Sequence, residues 1–208
     1  MAGKKGWHIN NNGAPHRGKG SATVQPIRKR KDIAAIKQSL AEQPRDLALF
    51  TLGINTGLRA GDLLKLKYKD ILTPEDNIKS ALEIVEIKTD KHRRIRLGPK
   101  PRRVLLALLP EYKDDYDPEA YIFPSRKGGR MSVQRLHQLV NQWCEDAGVK
   151  GHFGTHTLRK TYGYFHYDRG TDIALLMRAF GHSSQSITLR YIGIEQKQID
   201  EANLRLDL

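Results

Sequence analysis

Arg59 stands between two glycines in the run Gly57-Leu58-Arg59-Ala60-Gly61-Asp62, at what reads as a loop-to-helix junction. Glycines at such a junction let backbone and guanidinium approach an anion closely. Asp62, three residues on, shares the helical face and can orient a neighbouring cation, although an ordinary surface Arg–Asp pair has the same pattern. A second group is His156-Thr157-Leu158-Arg159. Its i,i+3 spacing puts imidazole and guanidinium on one helix face, where they can contact adjacent oxygens of one phosphate. A solvated basic helix gives the same string. Gly181-His182-Ser183-Ser184 reads as a turn, and Tyr191 follows nine residues after His182. A lone tyrosine at helical spacing is usually core. Cations, imidazoles and a phenol together suit a reaction whose transition state is anionic.

Other chemistries fit poorly. His152 and His156 are four apart, but no Glu follows His152 and Gly154 lies between them, so an HExxH zinc reading is weak. No Asp/Glu cluster suggests a two-metal nuclease, and no GxxxxGK[ST] loop suggests nucleotide hydrolysis. The reading therefore assigns no metal and no cofactor. The single cysteine, Cys144, excludes an internal disulfide framework and points to a reducing compartment.

These residues need elements to hold them, and the pattern predicts mainly helices. Asp32 is placed to cap a helix carrying Ile33, Ile36 and Leu40. Pro44 suits the first position of the next helix, which Gly57 breaks, and a short helix over 60–66 follows. Residues 81–88 alternate as a strand, 89–92 turn, and 93–97 return. Further helices are expected over 101–109, from Ser132 to Gly148, from Thr155, from Thr171 to Gly181, from Ser184 or Ser186 through Tyr191, and over 195–205. The expected class is mainly α with one small antiparallel β-hairpin (α+β).

Charge divides the chain. Of the formal net charge of +13, eight basic residues and no acid fall within residues 1–31, which leaves +5 for 32–208. That glycine-rich beginning cannot bury enough apolar surface to offset its own ordering entropy. Residues 1–27 are expected to form a flexible basic arm and 28–208 a single domain. The excess positive charge favours a polyanion, with nucleic acid ahead of a membrane surface. No apolar run is long enough for a transmembrane helix, and the N-terminus has no signal-peptide core.

The groups gain specificity in combination. Arg59, then a hairpin with Lys88, then His156-xx-Arg159, His182 and Tyr191 follow the order and spacing of the catalytic domain of the tyrosine recombinases, the phage integrase family. The chain resembles that family over about 28–205, most closely through HTLRKTYGYFHYDRGTDIALLMRAFGHSSQSITLRYIGI. The resemblance implies the tyrosine recombinase catalytic-domain fold. It implies Tyr191 as nucleophile in a metal- and ATP-independent cleavage of DNA through a 3′-phosphotyrosyl bond. By the same resemblance His156 is the acid/base histidine, Arg59 and Arg159 are the phosphate-fixing arginines, and His182 donates to the phosphate or buttresses Tyr191. Asp62 orients the cations. Lys88 is the hairpin general acid, with Lys91 as the competing candidate. Arg28, Lys29, Arg30, Lys31 and Lys160 are expected to touch double-stranded DNA. The resemblance also implies a homo-tetramer on two DNA sites, joined through residues 193–208, and a cytoplasmic, nucleoid-associated enzyme of bacterial or phage origin.

Two departures stand out. The helical DNA-clamping domain of most members is missing ahead of the first helix, as in the fimbrial phase-switch recombinases or an excised catalytic domain. Lys160 follows the HxxR motif where many relatives have His. Two other readings stay open. A non-catalytic regulator would use 171–192 as a helix-turn-helix. A type IB topoisomerase would relax DNA with related residues.

Overall fold

The computed structural model describes residues 23–109 and 117–194, together with 200, 204 and 206. Residues 1–22 of the expected arm and most of the expected helix over 195–205 lie outside the described residues, as does most of the segment 193–208.

A helix begins best where the first donor is already missing or capped. Pro44 meets that condition and opens α2 (Pro44–Thr56), following α1 (Arg30–Ser39). α1 starts two residues earlier than Asp32. Lys29 holds the cap position, and Asp32 lies in the first turn, where its charge faces the positive end of the helix. α2 is buried along most of its length, and α1, α5 (Pro99–Leu108) and α7 (Thr155–Asp168) pack on it. Gly57 ends it with φ of 60°, a left-handed conformation. α3 (Ala60–Leu64) and α4 (Tyr68–Ile71) then lead into the hairpin of β1 (Ala81–Val85) and β2 (His92–Arg96).

The hairpin is antiparallel, with Ala81 opposite Arg96 and Val85 opposite His92. β1 is three residues shorter than the alternation over 81–88 predicts. Its ladder stops because the chain turns beyond Glu86, whose N–H donates to Lys91 O at 3.0 Å; the next N–H, of Ile87, faces away from β2 and donates to Asp62 Oδ1 at 2.8 Å. Asp90 N–H turns back to Glu86 O at 2.9 Å, with Asp90 itself at φ 51°.

Beyond the hairpin come α5 (Pro99–Leu108), α6 (Val133–Asp146), α7 (Thr155–Asp168), α8 (Ile173–Phe180) and α9 (Gln185–Ile192). Ser132 caps α6 by accepting from Arg135 N–H at 3.0 Å, as its position predicts. Ser184 caps α9 from Ile187 N–H at 3.3 Å. Two expected caps move by one residue. Gly154 rather than Thr155 precedes α7, and its N–H donates to Thr157 Oγ1 at 3.1 Å. Asp172 rather than Thr171 caps α8, accepting from Ala174 N–H at 2.7 Å.

The core gathers Phe50, Leu49 and Leu52 of α2, Leu82 of β1, Leu105 of α5, and Leu136 and Val140 of α6. Trp143 lies edge-on to Phe50 and donates to buried Asp46 at 3.2 Å. α7 closes against α2 through a glycine: a Cβ on Gly53 would lie 2.6 Å from Leu158 Cδ1.

The end of the expected arm is part of this body. Gln25 N–H donates to His152 O at 2.8 Å, and Ile27 N–H donates to Thr161 Oγ1 at 2.9 Å. Ile27 is 1% exposed. Burying a side chain of that size is worth about 2 kcal/mol, which together with the two hydrogen bonds helps hold the extended segment on α7. Gln25 and Ile27, assigned to the arm by their sequence, thus bond to the domain expected over 28–208.

Candidate active site

The α2–α3 junction, the hairpin and its turn, α7 and the end of α8 converge on one cavity of about 590 Å³, lined among others by Arg59, Glu86, Thr89, Lys91, Arg93 and Arg178. Arg59 occupies the cap position of α3, where the chain has just left the left-handed turn at Gly57. That turn allows only a glycine for two reasons. Its φ is positive, and a Cβ would lie 2.5 Å from the Tyr162 ring.

Asp62 is 1% exposed and binds the hairpin rather than Arg59. Its Oδ1 accepts from Ile87 N–H, and Lys65 Nζ lies 3.7 Å away. The expected orienting role thus falls on the turn and on Lys65. The carboxylate fixes where the hairpin turn stands against α3.

The group that orients Arg59 is Glu86. Its Oε2 lies 2.6 Å from Arg59 Nη1 and accepts from Thr89 Oγ1 at 2.7 Å, while Oε1 lies 3.3 Å from Arg93 Nη1. Burial by itself would push this carboxyl upward. The Thr89 hydrogen bond and the charges of Arg59 and Arg93 outweigh it and bring the pKa down to about 2. Arg93 also donates to Thr56 O at 3.4 Å. Sequence reasoning missed both residues, although the signal was present. Leu82, Ile84 and Glu86 alternate on the inward face of β1, so an acid there was bound to be buried and to need cations.

On α7, Arg159 is 4% exposed. It donates to Gly57 O and, at 3.2 Å, to Phe180 O, and its guanidinium stacks 4.7 Å above the Phe180 ring. Burial lowers its pKa to about 10, which leaves it charged at neutral pH. It therefore locks the ends of α2 and α8 together while keeping a cation beside Tyr191.

His156, one turn earlier, reaches α9: its Nδ1 lies 3.1 Å from Tyr191 Oη. The Tyr191 ring packs against Phe180 at 5.3 Å and His182 at 5.1 Å. Burial raises the Tyr191 pKa, and the cations Arg159 and Arg59 oppose that rise. His182 is held by Thr188 Oγ1 at 3.0 Å; burial, then Arg159 and Arg59, lower its pKa and favour the neutral ring.

The remaining expected residues divide. Lys91 lines the Arg59 cavity, whereas Lys88 is exposed on the turn. Lys160, expected at a DNA surface, is 4% exposed, and its Nζ lies 5.3 Å above the Tyr191 ring. One residue beyond Arg159, it follows the inward turn of α7. Arg28, also expected at DNA, donates to Gly193 O at 2.8 Å and so anchors the end of α9. Lys29, Arg30 and Lys31 are exposed. Among the described residues no helix is long and apolar enough to cross a membrane.

A mainly helical domain with, among the described residues, one hairpin, gathered around a buried arginine and a tyrosine, has the architecture of tyrosine recombinase catalytic domains. The XerA recombinase crystal structure aligns with a TM-score of 0.70 at 20% identity, covering 92% of this chain and 67% of that one. A lambda integrase dimer bound to a COC' core site aligns at 0.62 and 18%, covering 86% of this chain and 51% of that one. The chain belongs to the phage integrase family, whose model matches residues 29–198. It is 39% identical over 176 residues to the "Probable integrase/recombinase YoeC" of Bacillus subtilis (strain 168), spanning 83% of this chain and 91% of that protein. It is 27% identical to the tyrosine recombinase XerC of Thermodesulfovibrio yellowstonii (strain ATCC 51303 / DSM 11347 / YP87), spanning 76% of this chain but only 52% of that one. The protein is thus a tyrosine-type site-specific recombinase.

Proposed function

We propose that this recombinase cleaves and rejoins double-stranded DNA through Tyr191, and the 3.1 Å approach of Tyr191 Oη to His156 Nδ1 is the observation that carries the reading. The phenol proton passes to His156 as the phenolate oxygen forms a bond to the scissile phosphorus. The bond from phosphorus to the 5′-oxygen breaks, and that oxygen takes a proton from the hairpin lysine, Lys88 or Lys91. The phosphodiester energy stays in the 3′-phosphotyrosyl bond, so rejoining is the same exchange run backwards. Arg59 and Arg159 offset the charge that builds on the non-bridging oxygens, each worth roughly 3–4 kcal/mol by analogy with oxyanion-hole donors. His182 supports the Tyr191 ring and faces the same phosphate.

Arg59 reaches that task by exchanging partners. Its guanidinium is neutralised by Glu86 in the DNA-free protein, and an incoming phosphate supplies an equivalent pair of oxygens. Lys29, Arg30, Lys31 and the residues ahead of them grip the backbone without reading sequence. Strand exchange between two sites calls for four copies, joined through residues 193–208. A nicked suicide substrate carrying the cognate site tests the reaction. A covalent protein–DNA adduct is expected from the wild type and none from Tyr191→Phe; no adduct from the wild type would refute it.

A further inference from the structure

A second cavity, of about 340 Å³, opens between α1, α2 and α7. Arg30 and Lys37 of α1, Lys100 of α5, His166 of α7 and Arg169 just past its end surround it, and no Asp or Glu lines it among the described residues. Lys37 is half-buried there, and among the described residues neither Lys37 nor Lys100 makes an ion pair. Burial first, and then the charge of Lys100, lower the Lys37 pKa. A half-buried ammonium group that feels the like charge of a second, exposed one costs stability unless an anion joins them.

The wall is not only charged. Tyr162, Phe165 and His166 contribute ring surface, with the Tyr162 and His166 rings in contact, centroids 4.3 Å apart and tilted by 54°. Ile33, Ala34 and Ile54 contribute apolar surface, and Asn55 and Thr161 add hydrogen-bonding groups. An apolar, aromatic wall with a few convergent polar groups is the composition of a small-ligand pocket, at the small end of the usual volumes. Asn55, Tyr162 and His166 also line the Arg59 cavity, so the two cavities share a partition.

We propose that this cavity is a separate nucleotide-binding site, which takes the phosphate of a nucleotide between Lys37 and Lys100 and its flat base against the aromatic wall. The nucleotide is either free in solution or a unit of a nucleic-acid strand that runs past the Arg59 cavity. The site does not depend on Tyr191 chemistry, so its test can fail while the cleavage reading stands.

Calorimetric titration of the full chain with dAMP, and in parallel with a single-stranded dA octamer, tests it in the wild type, Lys37→Gln and Lys100→Gln. Binding of either probe, weakened at least about tenfold by each substitution, is expected. Binding of dAMP assigns the site to free nucleotides; binding of the octamer alone assigns it to a strand. No binding by the wild type, or equal affinity in all three proteins, overturns the proposal. Both variants should still form the Tyr191 adduct, which shows that they fold. Without ligand, Lys37→Gln should raise the thermal midpoint, because it removes the repulsion that the anion would otherwise relieve. A lowered midpoint would mean that Lys37 is held by contacts of its own, and would overturn it too.

Discussion

Tyr191 has two kinds of contact, and substitution separates them. Its ring packs on Phe180 and His182, while its hydroxyl meets His156. Tyr191→Phe keeps the packing and removes the oxygen. Folding and DNA affinity should be unchanged while adduct formation disappears, as gel separation of covalent complexes would show. Arg159→Lys keeps the charge but loses the fork that spans Gly57 O and Phe180 O. A fall of about 10²–10³ in cleavage rate is expected, together with lower stability because two buried carbonyls lose their donor. Glu86 sets an acid limit. Its folded pKa of about 2 lies below the ordinary 4.5, so its contribution to stability is complete above about pH 4.5 and is lost as the pH falls toward 2. Denaturant titrations at pH 5 and pH 3 should show a smaller loss of stability between the two for Glu86→Gln than for the wild type.

Between elements, contact depends on a few positions without side chains. Gly57 ends α2, carries the carbonyl that Arg159 grips, and lies where a Cβ would meet Tyr162. Gly57→Ala combines a left-handed backbone, costing about 1–2 kcal/mol, with a steric overlap, so it should cost more than 2 kcal/mol and also displace Arg159. Thermal unfolding and the suicide-substrate assay would register the two effects separately. The order of elements was legible in the sequence because helix periodicity and Pro, Gly and Ser stop signals act within a few residues. The end of β1 was not. It depends on where the turn closes, with Asp90 N–H on Glu86 O, and on Asp62, 25 residues away, which holds the outward-facing Ile87 N–H against α3.

Across the whole molecule, the net charge of +13 predicts DNA binding that weakens with salt. Each phosphate contact adds about 0.9 to the slope of log affinity against log salt, so neutralising exposed Lys29, Arg30 and Lys31 should flatten the slope by at most about 3, for any DNA sequence. Arg28→Gln should behave differently, lowering stability by releasing Gly193 and the end of α9. Fluorescence anisotropy over a salt series, with thermal unfolding beside it, distinguishes the two. Composition does not separate Arg28 from its three neighbours, because the difference lies in a contact across 165 residues.

The sequence by itself settled the class of fold, and its resemblance to one family marked Arg59, His156, Arg159, His182 and Tyr191 as a candidate set, because residue types and their order are written along the chain. The tertiary structure decided their partners. It gave Arg59 to Glu86, Asp62 to the hairpin turn, Lys160 to the Tyr191 ring and Ile27 to α7. A buried charge takes whichever opposite charge or donor the packing brings within about 3 Å, and that neighbour is set by how α2, α7 and the hairpin meet, not by distance along the chain.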